Sequence, residues 1–408
     1  MNVVPLALDN QKEAKKEILS LGATKEGAKI LASKSVFRSF KIQGIKSWEA
    51  NILKQHLLSV GSDAAVERDA LVKDIETGVL VFGSINQLKK LCQKLKNQTK
   101  RLKILSKQLS ESLKNSEKNS YKYKARDKTL KINKPIICGI VNITQDSFSG
   151  DGLLAKADNS SLRLKKLALK KVSGMIRDGA KIIDFGAEST RPFSRRIKTQ
   201  QEIKRLIPVL KAVRKEFKKL IISVDTYKPK VAQAAVEAGV DIINDITALG
   251  SNKMASLVKK HNLGCILMHM QGNPQTMQIN PSYKQASQEI GEFLKEKVAY
   301  CQKKGIDKSQ ILIDPGIGFG KLKEHNLDII NNLYQLKVLG VPIFIGLSRK
   351  SFIGGIIKKG PFDRLGATIA AQIVALIKGA NVLRVHDVGQ TKDAVKLFSA
   401  LMKNDRVN

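Results

Sequence analysis

Aromatic side chains are scarce in this 408-residue chain, at 5% of positions, although hydrophobic residues as a whole reach 42%. A core of that composition is aliphatic, as barrel interiors are, and it lacks the aromatic interleaving on which single-strand nucleic-acid binders rely. No apolar run reaches the roughly 20 residues that span a bilayer. The stretch MNVVPLALDNQKEAKKE also lacks the basic start, apolar centre and small-residue cleavage site of a secretory signal. A soluble, cytoplasmic protein without membrane contact is therefore expected. The four cysteines, Cys92, Cys138, Cys265 and Cys301, are widely separated and none forms a CxxC pair. Buried free thiols are expected, and neither a disulfide framework nor a zinc site is indicated.

Acidic residues are few beside basic ones, 36 against 72, which leaves a formal charge of +36. The excess is mostly lysine spread over helix faces, as in LKKLALKK and RKEFKK. That pattern describes a solvated basic surface with weak steering of anionic substrates, and nucleic acid is not an expected partner.

What is present is a rhythm. Eight short β-rich stretches run into polar clusters: 136–144, 180–187, 220–226, 241–246, 265–270, 311–316, 342–348 and 382–387. Segments with helical apolar spacing separate most of them, among them 161–178, 199–217, 229–238, 287–304, 365–378 and 391–402. Strands buried on both faces read as continuous Val/Ile/Leu runs, so the alternation predicts a TIM (β/α)8 barrel. A barrel of this kind takes roughly 250 residues, and the expected catalytic domain is 133–408. Residues 1–100 form a smaller α/β domain of unknown role, with a helix over 47–60, a strand over 78–83 and a helix whose face carries Ile85, Leu88, Leu91, Cys92 and Leu95. Trp48 and His56 are expected on the buried stripe of the first helix. Residues 101–132, polar and charged, are expected to be a linker or solvent-facing connection, with room for a helix in its first part.

In a barrel the C-terminal strand ends share one mouth. Asp225, Asn244 and Asp314 end three separate strands there, with Lys350 on a fourth loop. Carboxylates accept paired N–H bonds and an amide both donates and accepts, which suits a flat heterocycle with an amino-pyrimidinone edge. Helix capping is the alternative for any one of them, and the convergence of several argues for a ligand. Arg384 and His386 share a strand face by the two-residue period, with Asn142 nearby around the closed barrel. Two cationic or donor groups and an oxygen ligand make a cradle for diphosphate, with Mg²⁺ as its expected companion. The loops 144–152 and 186–192 are polar and glycine-bearing, in the manner of lids over a barrel mouth.

The segments GIVNITQDSFSGDG, DFGAESTRP, SVDT, INDI, LMHMQGNPQTM, DPGIGFGK, GLSRKSFIG and RVHDV, in this order, resemble the dihydropteroate synthase family of folate biosynthesis over the whole barrel. The resemblance implies an enzyme, a transferase that condenses 6-hydroxymethyl-7,8-dihydropterin diphosphate with 4-aminobenzoate. It implies pterin contacts from Asp225, Asn244, Met268, Asp314 and Lys350, and diphosphate contacts from Asn142, Arg384 and His386, with Asn142 also holding Mg²⁺. For 4-aminobenzoate it implies Thr190, Arg191, Pro192, Phe319 and Ser351. Asp225, Lys350, Arg384 and His386 are the expected catalytic set, and a homodimer is expected by the same resemblance. The chain departs from the family pattern at Gln145, where proline is common, at Gly150-Asp151, where the order is usually reversed, and at Ala187, where glycine is common.

A pterin-binding methyltransferase barrel is the nearest alternative enzyme, but it has no reason to carry STRP, SRKS and RVHD. A silent paralogue kept for binding is the alternative outside catalysis, and the intact site argues against it. A fused hydroxymethyldihydropterin kinase is rejected because the first hundred residues are too few and lack nucleotide-binding signatures. The run WEANILKQHLLSVGSDAAVERD is similar to an N-terminal extension of some longer prokaryotic members, for which packing or assembly is the expected role.

Overall fold

The computed structural model describes residues 1–144, 152–157, 160–188 and 196–402, apart from the side chain of Ala155. The chain divides into two compact units, Met1–Glu117 and Lys118–Asn408.

The first unit runs α1 (Gln11–Ser20), α2 (Lys25–Ser35), β1 (Phe37–Lys46), α3 (Ser47–Leu58), β2 (Asp63–Val66), β3 (Glu76–Ser84), α4 (Ile85–Leu95) and α5 (Lys100–Ser116). Its strands form an antiparallel sheet in the order β1-β3-β2. Val79 and Val81 of β3 pack with Leu53 and Leu57 of α3, Leu88 and Leu91 of α4, and Leu102, Leu109 and Leu113 of α5 in one core. The start of α4 is fixed by a capping box. Ser84 Oγ accepts from the Gln87 amide at 3.3 Å, and Gln87 Oε1 accepts from the Ser84 amide at 2.8 Å. The face expected of α4 is the one that is buried. In α3 the buried face is instead Ala50, Leu53 and Leu57, and Trp48 is 43% exposed. Trp48 lies in the first turn, between the buried Ser47 and Glu49.

The stretch read as a linker differs from that expectation. Lys100–Ser116 are α5, whose Leu102, Leu109 and Leu113 are buried in the core of the first unit.

 The four lysines and four serines of α5 dilute its leucine stripe, so composition alone reads it as a polar connection. The residues that follow form a hairpin, β4 (Tyr121–Ala125) and β5 (Lys128–Ile132). Its alternation of buried Tyr121, Tyr123 and Ala125 with exposed Lys122 and Lys124 is the two-residue period of a half-buried strand.

The second unit continues with β6 (Ile136–Asn142), α6 (Leu153–Lys156), α7 (Ser161–Arg177), β7 (Ile182–Gly186), α8 (Thr199–Glu216), β8 (Ile221–Asp225), α9 (Pro229–Glu237), β9 (Ile242–Asp245), α10 (Asn252–Lys260) and β10 (Gly264–Met268). It ends with α11 (Ala286–Lys303), β11 (Ile311–Asp314), α12 (Lys323–Asn331), β12 (Phe344–Gly346), α13 (Ser351–Ile357), α14 (Leu365–Ile377), β13 (Val382–Val385) and α15 (Val388–Met402). The eight strands β6 to β13 are parallel, in the order β11-β10-β9-β8-β7-β6-β13-β12. The Ile313 amide donates to the Pro342 carbonyl at 3.1 Å, and a parallel bridge joins Ile313 to Ile343. These contacts close the sheet into the expected (β/α)8 barrel.

Two layers of apolar side chains hold the barrel. Residues such as Ile183, Val224, Ile243, Leu267 and Leu383 point outward and pack under the helices. Ile182, Ile242, Ile266, Leu312, Phe344 and Val382 form a separate cluster at the N-terminal end, joined there by Tyr121, Tyr123, Ala125 and Ile132. The hairpin is thus the floor of the barrel, and it leaves the opposite end open for chemistry. Asp241 anchors the same region: it is fully buried and takes hydrogen bonds from Lys128 Nζ at 2.6 Å, Arg214 Nη2 at 2.6 Å and the Ile222 amide at 2.8 Å.

Candidate active site

Asp225 ends β8 and stands in register with Asn244 of β9, so the two project from neighbouring strands at the same level. Asp184 of β7 joins them from the next strand along. Its Oδ2 accepts from Arg384 Nε at 2.7 Å and from Asn244 Nδ2 at 3.1 Å. Arg384, on β13, also donates from Nη2 to Asp225 Oδ2 at 2.9 Å. One guanidinium therefore ties two carboxylates from across the mouth, and Asp184 fixes which end of the Asn244 amide faces away from it. Asp184 is not among the site residues expected from the sequence. Its position as the one charged residue of the strand run IIDFG is the signal it carries.

The electrostatics follow from burial. Desolvation pushes the Asp225 carboxyl up to about 7, against the opposing pull of Arg384. Burial by itself would lower Arg384, but Asp184 and Asp225 hold it above its ordinary value. The guanidinium is accordingly a fixed positive charge at any working pH.

A second group lies on the loops after β11 and β12. Asp314 ends β11, and its Oδ1 accepts from the Gly316 amide at 2.7 Å. Burial pushes Asp314 up to about 6, while that hydrogen bond and the charges of Lys350, Arg384 and Lys321 pull it down. Lys350 is pushed down to about 8 by burial and by Arg384, with Asp314 and Asp225 opposing. Its Nζ stands 4.3 Å from the centroid of the Phe319 ring, a cation–π contact. Lys350 thus senses both carboxylates, which brings the Asp225 group and the Asp314 group into one electrostatic unit.

The turn that carries Phe319 lies directly on the end of β10. Gly316 has φ +68°, and a Cβ there would collide with the His269 carbonyl oxygen. At Gly320, φ +63°, a Cβ would come within 2.7 Å of the Gln271 carbonyl oxygen. Lys321 follows, 2% exposed, with its Nζ bonded into the same place. Asn326 of α12 adds a brace: its Oδ1 accepts from the Gly318 amide at 2.7 Å.

The remaining expected residues fall as follows. Met268 ends β10 and is buried. His386 follows β13, with Nδ1 3.0 Å from Ser348 Oγ. Asn142 ends β6 and is half-buried. Ser351 begins α13 and is exposed. Thr190, Arg191 and Pro192 lie outside the described residues, as do Gln145 and the Gly150-Asp151 pair. The base of the second loop is nevertheless defined. Lys228 Nζ reaches Glu188 Oε2 at 2.9 Å, Glu202 Oε2 at 2.8 Å and the Ile197 carbonyl at 2.7 Å. Glu188 Oε1 in turn accepts from the Ile197 amide at 3.0 Å. This clamp was not legible beforehand, because its members come from three separate segments. Among the described residues, no group of three or more His, Cys, Asp or Glu side chains is placed to hold a metal ion, and no helix is long and apolar enough to cross a membrane.

Comparison with known proteins gives one consistent result. The family model described as pterin binding enzyme matches residues 138–386. The dihydropteroate synthase of Escherichia coli (strain K12) is 38% identical over 281 residues, which is 69% of this chain and 96% of that protein. The bifunctional dihydropteroate synthase/dihydropteroate reductase of Helicobacter pylori is 34% identical over 400 residues, covering 97% of this chain and 98% of that one. Among solved structures, Thermus thermophilus dihydropteroate synthase in complex with 4-aminobenzoate superposes with a TM-score of 0.61 at 35% identity, over 69% of this chain and 99% of the other.

Proposed function

Because this chain belongs to the pterin binding enzyme family, and within it to the dihydropteroate synthases, we propose which of its residues perform the reaction. The activity is the condensation of 6-hydroxymethyl-7,8-dihydropterin diphosphate with 4-aminobenzoate to give 7,8-dihydropteroate and diphosphate. Asp225, Asn244, Asp314 and Lys350 grip the pterin edge over Met268. Arg384, His386 and Asn142 face the diphosphate. Thr190, Arg191, Pro192, Phe319 and Ser351 receive the aminobenzoate. The observation that carries this reading is the bridge from Arg384 to Asp184 and Asp225, because it sets a permanent cation beside the carboxylate that faces the pterin.

The chemistry is dissociative. The bond between the exocyclic methylene carbon and its oxygen breaks, and the electron pair leaves with diphosphate. Arg384 and His386 stabilise the charge that grows on that oxygen. The pterin cation left behind is delocalised into the ring and favoured by ionised Asp225. The neutral aryl amine attacks the carbon and gives up one proton to solvent, so no strong general base is needed. Asn142, half-buried at the end of β6, would offer its amide oxygen to Mg²⁺, a hard cation that takes oxygen donors from protein and phosphate together. When bound there, Mg²⁺ supplies further positive charge to the departing diphosphate.

A second activity is part of the same reading. The similarity to the Helicobacter pylori bifunctional protein runs through residues 1–117 as well as the barrel, which supports a dihydropteroate reductase activity for the full chain. Homodimer formation is supported by the exposed apolar residues Val374 and Ile377 on α14 and Leu397 and Leu401 on α15. Cytoplasmic residence is supported by four buried free cysteines. The deciding experiment is an assay with both substrates and Mg²⁺, following 7,8-dihydropteroate and its reduced form separately. Formation of 7,8-dihydropteroate that is lost in Asp225→Asn supports the site, and unchanged turnover in that variant refutes it.

A further inference from the structure

We infer that Lys321 is a positioning residue for the aryl-amine half of the reaction, its ammonium tying the Phe319 carbonyl to His269 and so holding the Phe319 ring against Lys350. Lysine is rarely buried to this depth, because an ammonium loses much of its hydration energy there. Here Lys321 is 2% exposed. Its Nζ has three donors and meets three acceptors: the Phe319 carbonyl at 2.8 Å, His269 Nδ1 at 3.0 Å and the His269 carbonyl at 3.4 Å. Burial pushes Lys321 down to about 7, with the charge of Asp314 opposing, so the ammonium is the form present at and below neutrality. In that form it only donates, so His269 Nδ1 accepts and the imidazole proton sits on Nε2. Burial and the Lys321 charge push His269 down to about 3, which keeps the ring neutral and able to accept.

The consequence falls on Phe319. Its turn has no Cβ at Gly318 or Gly320, so the backbone there has little stiffness of its own. The Gly318 amide is held by Asn326 and the Phe319 carbonyl by Lys321, on either side of one peptide group. The ring projects from that fixed unit to Lys350 Nζ at 4.3 Å. Edge-to-face packing of His269 on Phe293, with centroids 4.8 Å apart, anchors the other end of the chain of contacts in α11. Lys321 therefore determines where the aromatic wall stands without touching a substrate.

This inference rests on the proposed role of Phe319 in receiving 4-aminobenzoate, and two variants separate the claims. Phe319→Ala tests that role: it is expected to raise KM for 4-aminobenzoate by about ten-fold or more, and no change there overturns the assignment of Phe319. Lys321→Met, similar in length but uncharged, is expected to raise the same KM by about ten-fold while KM for the pterin diphosphate stays within about two-fold. An unchanged aminobenzoate KM in Lys321→Met, beside a raised one in Phe319→Ala, overturns the inference. So does a rise of equal size for both substrates, which marks general disorder of the barrel mouth. His269→Gln supplies a milder variant that decides the matter if Lys321→Met does not fold. It removes the ring acceptor and keeps the carbonyl, so a smaller rise confined to aminobenzoate supports the inference and equal effects on both substrates refute it.

Discussion

Arg384 Nη2 donates to Asp225 Oδ2 at 2.9 Å, joining residues 159 positions apart on strands β13 and β8. In the proposed reaction the pair lies beside the breaking bond, with a cation forming on one side of it and an anion on the other. Asp225→Asn keeps the size of the side chain and removes its charge. Turnover is expected to fall by about 100-fold or more, a usual loss when one preorganised electrostatic group is removed. The fold is expected to persist, because Arg384 keeps Asp184 as a partner at 2.7 Å. Steady-state rates with both substrates, alongside a thermal unfolding curve, check both halves of the claim.

The pH dependence follows from two oppositely shifted groups. Asp225 is raised to about 7, first by burial and then by Asp184, Glu202 and Asp245, with Arg384 opposing. Lys350 is lowered to about 8, first by burial and then by Arg384, with Asp314 and Asp225 opposing. The proposed mechanism needs the carboxylate ionised and the ammonium protonated. Falling pH protonates Asp225, and rising pH discharges Lys350. A plot of kcat/KM for the pterin diphosphate is therefore expected to be a narrow bell with limbs near about 7 and about 8. Lys350→Met is expected to lower the whole curve and remove its alkaline limb. A wild-type profile that stays flat through neutrality contradicts the arrangement.

Asp184 is expected to act on binding. Its Oδ2 accepts from both Asn244 and Arg384, and its Oδ1 is buried with no hydrogen-bond partner. Both bonds end on one oxygen of a carboxylate, whose charge strengthens them and excludes a competing donor, so Asn244 is fixed with its nitrogen toward Asp184 and its oxygen turned away. Asp184→Asn adds a donor at that place and lets the Asn244 amide turn over. KM for the pterin diphosphate is expected to rise by about ten-fold, a typical effect of one misdirected buried hydrogen bond. Titration with a non-reactive pterin, followed by calorimetry, reads the change directly.

The barrel was legible because its strands are buried on both faces, so that runs such as Ile182–Gly186 and Ile311–Asp314 announce themselves as apolar stretches. Asp225, Asn244 and Asp314 were legible for a related reason: each is the polar residue at or next to the end of such a run. Contacts that depend on a second segment were hidden. Nothing local to Lys321 says that its ammonium will meet a histidine 52 positions earlier. The Lys228 clamp joins segments on either side of Asp225 in the same way. The hairpin of β4 and β5 escaped because four of its ten residues are lysines, and only the alternation of Tyr121, Tyr123 and Ala125 marks the side that turns inward.

That hairpin determines where the chain can be cut. Tyr121, Tyr123, Ala125 and Ile132 share one buried cluster with the first residues of the barrel strands, and Lys128 pairs with the buried Asp241. A truncation that begins at Lys118 keeps the floor of the barrel together with its own core. It is expected to remain folded and to retain dihydropteroate formation, while any activity seated in residues 1–117 is lost. A truncation that begins at Asn133 exposes Cys138, Ile182, Ile242 and Phe344 to water and leaves Asp241 with one cation fewer. Uncovering that much apolar surface is expected to cost several kcal/mol, at about 1.5–3 kcal/mol for each large side chain laid open. The shorter protein is expected to aggregate or to melt well below the longer one. Size-exclusion chromatography and thermal unfolding of the two truncations, with synthase turnover measured on each, separate the outcomes; equal stability of the two would mean that the hairpin is dispensable.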